Sequence, residues 1–213
     1  MTHATTDCTE PTAYELAVRI AAKMTGPARW TARRRETMDD QGKRFAELVR
    51  LDDGAELGVT AGGYHNEGRA TFRAHWPKYA DGQQYSPRTY LQITCSAGRD
   101  PQALARDIER RLLSEYDPAY RKALDEVRAS DAAAGIAWHA AERIAEAVGA
   151  ELPGAHPNNG GAVRLHGAPA DVYEIKVHPP YGDRPVRVSF EVNDVDEKTA
   201  LEVLALIARN HGG

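Results

Sequence analysis

The densest run of chemistry-bearing side chains in this chain is VTAGGYHNEGRATFRAHW, residues 59–76. It places His65, Asn66, Glu67, Arg73, His75 and Trp76 in one short span. Imidazole, carboxylate and guanidinium groups that close together suit a catalytic cluster or a metal site. The spacing argues for something plainer. Leu57, Val59 and Ala61 alternate on one side of a glycine-rich connection, and Phe72, Ala74 and Trp76 alternate on the other. That is the pattern of a β-hairpin with one buried face. His65, Asn66 and Glu67 then fall at its tip, where no surrounding shell holds them in a productive geometry.

The remaining motifs point the same way. Eight histidines occupy positions 3, 65, 75, 139, 156, 166, 178 and 211, and none has HxxxH or HExxH spacing. His166 and His178 belong to neighbouring predicted strands, with Glu174 or Glu191 as conceivable third ligands, but no metal site is expected there. The chain has no GxxxxGK[ST] loop, no GxGxxG after a strand and no GxSxG elbow. Asp39-Asp40 and Asp52-Asp53 sit in predicted turns, where aspartate is common for its turn chemistry. No catalytic residue and no cofactor is predicted. One surface does emerge. With Trp30 inward, period-two alternation sends Thr31, Arg33 and Arg35 outward on the first strand, Arg73 and His75 on the hairpin's return strand, and Tyr90, Gln92 and Thr94 on the last. Arg33, Arg35, Arg73, His75 and Tyr90 are the candidate binding residues, suited to an anionic partner. Glu36, Glu47 and Glu56 dilute the positive charge.

The elements that must hold this face are legible in the pattern. TAYELAVRIAAKMTG (12–26) reads as a helix with Thr12 as cap, Glu15 at the capping-box position and a Leu16/Ile20/Met24 stripe. Strands follow at 29–38, 43–51, 55–61, 69–76 and 89–96, separated by Asp- and Gly-rich turns. Asp100-Pro101 opens a helix with Leu104, Ile108 and Leu112 inward. Asp117-Pro118 restarts the chain in a second helix. Asp131 opens a third, with Ile136, Ala140, Ile144 and Val148 at steps of four. Strands at 163–167, 171–178 and 185–192 precede a last helix over 196–209, with Leu201, Leu204, Ala205 and Ala208 inward.

The order helix, meander, helix occurs twice. LAVRIAAKMTG is echoed by AAERIAEAVGA, and LQITCSAGRDPQALARDIERRL by VSFEVNDVDEKTALEVLALIAR. The expected fold is therefore α+β, two-layer antiparallel sheets with helices on one face, built as a tandem duplication. The expected divisions are a first unit at 1–116, a connecting helix at 117–131 and a second unit at 132–213.

Composition sets the outer limits. The 213 residues, 42% hydrophobic and 27% charged, suffice for a core without disulfide staples. Cys8 and Cys95 form no CxxC pair, and Cys95 alternates with Leu91 and Ile93 as a buried strand residue. No apolar run reaches the roughly 18 residues of a membrane span, and MTHATTDCTEPTAYE has no secretory pattern, so a cytoplasmic protein without membrane contact is expected. The net charge of −4 argues against a protein that coats nucleic acid. Arginine outnumbers lysine 21 to 6, which reflects a GC-rich genome before it reflects phosphate recognition.

Residues 93–124, ITCSAGRDPQALARDIERRLLSEYDPAYRKAL, resemble a segment of uncharacterised proteins of actinobacterial phages and integrating plasmids. The resemblance implies a mobile-DNA setting and no particular activity. The α-β-β-β-α order of the second half is similar to a double-stranded-RNA-binding domain, whose last helix opens on a lysine cluster. Here DVDEKTAL offers Lys198 among Asp194, Asp196 and Glu197, so the phosphate clamp is missing and only the topology carries over. The expected function is that of a non-enzymatic accessory protein of a mobile element. It would act through protein–protein contacts on a host or replication protein. The alternative is a nucleic-acid-binding accessory protein using the arginine face, and the third reading is an enzyme whose site is assembled from distant residues.

Overall fold

A computed structural model describes residues 11–35, 44–62, 68–87, 90–154, 161–166, 172–192, 197–199 and 201–202. The fold is α+β with two antiparallel sheets, of five and three strands. Internal contacts divide the chain into two units, Met1–Lys78 with Gln84–Glu126, and Tyr79–Gln83 with Val127–Gly213.

In the first unit, helix α1 (Ala13–Ala21) begins at Thr12, whose hydroxyl accepts from the Glu15 backbone while the Glu15 carboxylate accepts from Thr12 N–H. Both capping-box bonds are thus made, and Leu16, Ala17 and Ile20 are buried. Strands β1 (Trp30–Arg34), β2 (Phe45–Arg50), β3 (Glu56–Ala61), β4 (Arg69–His75) and β5 (Gln92–Ser96) form a meander in sequence order. Gly54 turns β2 into β3 with φ of 74°, a conformation that favours glycine. One sheet face carries Ala32, Leu48, Leu57, Val59, Phe72, Ile93 and Cys95, which pack with α1 and with Leu104, Ile108 and Leu112 in one core. The other face is left to Thr31, Arg33, Glu47, Glu56, Arg73, His75, Gln92 and Thr94, by the register Arg33↔Glu47↔Gly58↔Arg73↔Gln92.

The helical segment after β5 departs from expectation. Asp100 caps α2 (Pro101–Asp107) through Ala103 N–H, as its Asp-Pro pair predicts. The chain then passes through a π-helical turn, Ile108–Leu113, into a continuous helix α3 (Ser114–Val148). Asp117-Pro118 and Asp131 start no new helices. Asp117 is engaged by Arg50, and Asp131 accepts the Ala80 backbone N–H at 3.2 Å, so both carboxylates serve tertiary partners in place of helix caps. The wide π turn brings Leu112 and Leu113 inward together, ahead of Tyr116 and Tyr120. Tyr116 meets Trp76 edge-on at 5.7 Å and Tyr120 at 5.2 Å. Its buried hydroxyl donates to the His75 carbonyl at 2.5 Å.

In the second unit, β6 (Val163–Leu165), β7 (Val172–His178) and β8 (Arg187–Val192) form a meander in the order β6-β7-β8. Val163, Leu165, Ile175 and Val177 pack with Ala137, Ala140, Ala141 and Ala145 of α3. This corrects the expected stripe. Ile136 is 52% exposed, and Ile144 and Val148 only border the core. Small alanines let the sheet approach the helix closely, and that close approach selects their stripe over the bulkier one. Residues 197–199 and 201–202 are helical and exposed, while Leu204 lies outside the described residues. Both sheets are meanders with different strand numbers, and the duplication suggested by the sequence echo is not established by that likeness.

Candidate functional site

The open face of the first unit is organised around Arg33. Its Nε donates to Glu47 Oε2 at 2.8 Å, and its Nη2 reaches Glu47 at 2.6 Å and Glu56 Oε1 at 2.5 Å. His75 Nδ1 lies 3.8 Å from the other Glu56 oxygen, beyond hydrogen-bond length and within ion-pair range. Gly58 makes room for this imidazole. A Cβ there would stand 2.7 Å from His75 Nε2, so no larger residue fits without moving the ring. Four positions on four adjacent strands and one glycine gap thus assemble a network that no local motif announces.

Glu47 is buried, which is unusual for a carboxylate unless it is paired. The neighbouring His75 imidazole and the Arg33 guanidinium, against the opposing effect of burial, hold the Glu56 carboxyl down to about 2. A carboxylate that acidic is a weak general base, although Glu56 and His75 border a cleft of about 250 Å³ with Trp76, Pro77 and Tyr120. Glu47, Glu56 and His75 also bring three potential ligand atoms within 4.8 Å of one another, the one such group among the described residues. Arg33 already occupies both carboxylates, and a cation entering there would have to displace a guanidinium of the same sign. The arrangement fits an ion-paired brace across β1, β2 and β3.

Of the five predicted binding residues, Arg33, Arg73 and His75 lie on this face. Arg33 belongs to the brace, so it is not the unengaged cation that alternation alone suggested. Arg73 lies over the Tyr90 ring at 5.2 Å, and Tyr90 is 74% exposed. Tyr90 precedes β5, which begins at Gln92, so this stack stands at the end of the strand. Arg35 follows the last residue of β1 and is exposed. Thr71 and Thr94 hydrogen-bond across β4 and β5 at 3.1 Å. His65, Asn66 and Glu67, the residues that first suggested chemistry, lie outside the described residues.

Sequence reasoning missed the second arginine centre. Arg50 is 5% exposed. It grips Asp53 with two bonds, 2.7 and 2.8 Å, and donates to Asp117 at 2.5 Å. Its guanidinium also faces the rings of Trp30 and Tyr120 at 5.4 and 5.7 Å. Burial opposes its charge, but the two carboxylates prevail and hold its pKa above the ordinary arginine value. A signal was present, because Arg50 shares parity with Ala46 and Leu48, and an arginine at an inward position demands carboxylate partners. Asp53 therefore does more than turn chemistry.

Among the described residues of the second unit, no histidine joins a potential metal-ligand cluster. His166 bridges to Glu151 by backbone bonds, and His178 pairs its Nε2 with Ser189 Oγ at 2.9 Å. Glu174 is taken by Lys176 and Arg164. Trp138 and His139 both engage Glu142 at 2.9 Å, one turn along α3.

No family model, curated protein or solved structure matches the chain. Among the described residues no helix is long and apolar enough to cross a membrane.

Proposed function

We propose that this is a non-enzymatic accessory protein of a mobile genetic element, which binds a host or replication protein through the open face of its five-stranded sheet. The observation that carries the reading is the Arg73–Tyr90 stack, a guanidinium over a 74% exposed ring at the end of a braced sheet face. Tyrosine and arginine are the residue types that dominate protein-binding hot spots. The partner surface should be acidic, to meet Arg73 and Arg69, which are exposed on the same face. The mobile-element setting rests on the resemblance of residues 93–124. Nucleic acid is the second reading, favoured by the same stack as a platform for a base and opposed by Glu47 and Glu56 on that face.

The test is capture from host lysate by the wild type and by Arg73→Gln/Tyr90→Ala, with and without nuclease. Arg33 is left intact, since removing it would strand the buried Glu47. A captured protein that survives nuclease and is lost in the double variant supports the reading. Capture abolished by nuclease favours nucleic acid. Capture that the double variant leaves unchanged eliminates this face.

A further inference from the structure

Among the described residues of the second unit, β8 carries exposed apolar side chains. Val188 and Phe190 are 45% and 51% exposed, although they stand opposite the buried Val177 and Ile175. All four share the sheet face that packs on α3. A groove of about 610 Å³ adjoins them, lined by Ile136, Ala140, Ile144, Val148, Val186 and Val188. Among the described residues β8 is also an edge of its sheet, so one row of its backbone groups meets no strand.

The strand is complementary to itself. Around Ser189 stand Val188 and Phe190, and beyond them Arg187 and Glu191. If two copies pair antiparallel with Ser189 against Ser189, Arg187 meets Glu191 and Val188 meets Phe190, each twice. Directly opposed side chains share a face with Cβ atoms about 5 Å apart. Both ion pairs therefore form on the face of Lys176 and His178. Both Phe190 rings form on the other face, each beside the Val188 that borders the partner's groove. A one-residue slip would set Arg187 against Phe190, which specifies the register. Such a contact uses the same patch on both copies and closes on itself.

We propose that the protein forms a two-fold dimer by antiparallel pairing of β8 with β8 of a second copy, which extends the three-stranded sheet to six strands and seats each Phe190 at the partner's apolar groove. The test is sedimentation equilibrium of the full chain, with circular dichroism to confirm folding. The wild type is expected to be a reversible dimer. Arg187→Glu and Glu191→Arg should each weaken it roughly tenfold or more, because like charges then face each other. Mixing these two variants should restore association, since each supplies the charge the other lacks. Arg187→Glu/Glu191→Arg together should dimerise like the wild type. A wild type that stays monomeric up to about 100 μM, where a dimer of micromolar Kd is populated, overturns the proposal. A dimer that both single reversals leave intact overturns it as well.

Discussion

Arg33 and Arg50 sit on adjacent strands of one sheet, and each bridges two carboxylates. Arg33 braces the open face, its side chain 52% exposed. Arg50 lies on the covered face, 5% exposed, between two aromatic rings. The same chemistry therefore serves two ends. In water a guanidinium can exchange partners at little cost, whereas under a helix it cannot. Burial, more than the number of bonds, decides what each network is worth.

The largest effect should come from stripping the buried arginine. Asp53→Ala leaves Arg50 with Asp117 alone, and Asp53→Ala/Asp117→Asn leaves it unpaired. The double variant should lose about 3–5 kcal/mol in chemical denaturation. Arg50→Met in that background should recover part of the loss, because it removes the stranded charge. If the double variant is as stable as the wild type, Arg50 is not an obligate pair. Arg33→Gln should cost less, about 1–2 kcal/mol, chiefly because the buried Glu47 loses its charged partner.

The comparison also has a pH signature. Glu56 is held at about 2, well below its ordinary value of 4.5, first by the His75 imidazole and then by Arg33, against burial. A depressed carboxyl contributes stability that is complete above its unfolded value and is lost as pH falls through its folded value. The wild type should therefore lose stability between pH 4.5 and 2, and Glu56→Gln should lose less over that window in denaturation series. Parallel curves for the two proteins would mean that the brace contributes no linkage. The smallest effect is expected at the stack. Arg73→Gln/Tyr90→Ala should stay within about 0.5 kcal/mol of the wild type, since exposed groups away from caps and cores contribute little.

Much of this architecture is legible in the sequence. Alternation set Arg33, Arg73 and His75 against Trp30, Phe72 and Ile93, and the register agrees. Thr12 and Asp100 cap the helices that their neighbours announced. The helix starts expected at Asp117 and Asp131 are absent from the continuous helix α3. Asp-Pro and Asp are local start signals, and nothing local reveals that Asp117 and Asp131 are committed elsewhere. The inward stripe of α3 also departs from expectation, since hydropathy ranks Ile136 above Ala137 while close packing reverses them.

What the sequence determined by itself is what depends on neighbours along the chain: where the strands turn and which side of a strand each side chain takes. Those follow from backbone sterics and the two-residue period of the pleat, which no distant contact alters. Tertiary structure alone decided the partnerships. Glu56 lies 23 residues from Arg33, and Asp117 lies 67 from Arg50. Each arginine had many carboxylates to choose from, and only strand register and the docking of a helix brought particular ones within 3 Å. Charge pairing is short-ranged and unspecific in sequence, so the fold that places the pair is also what selects it.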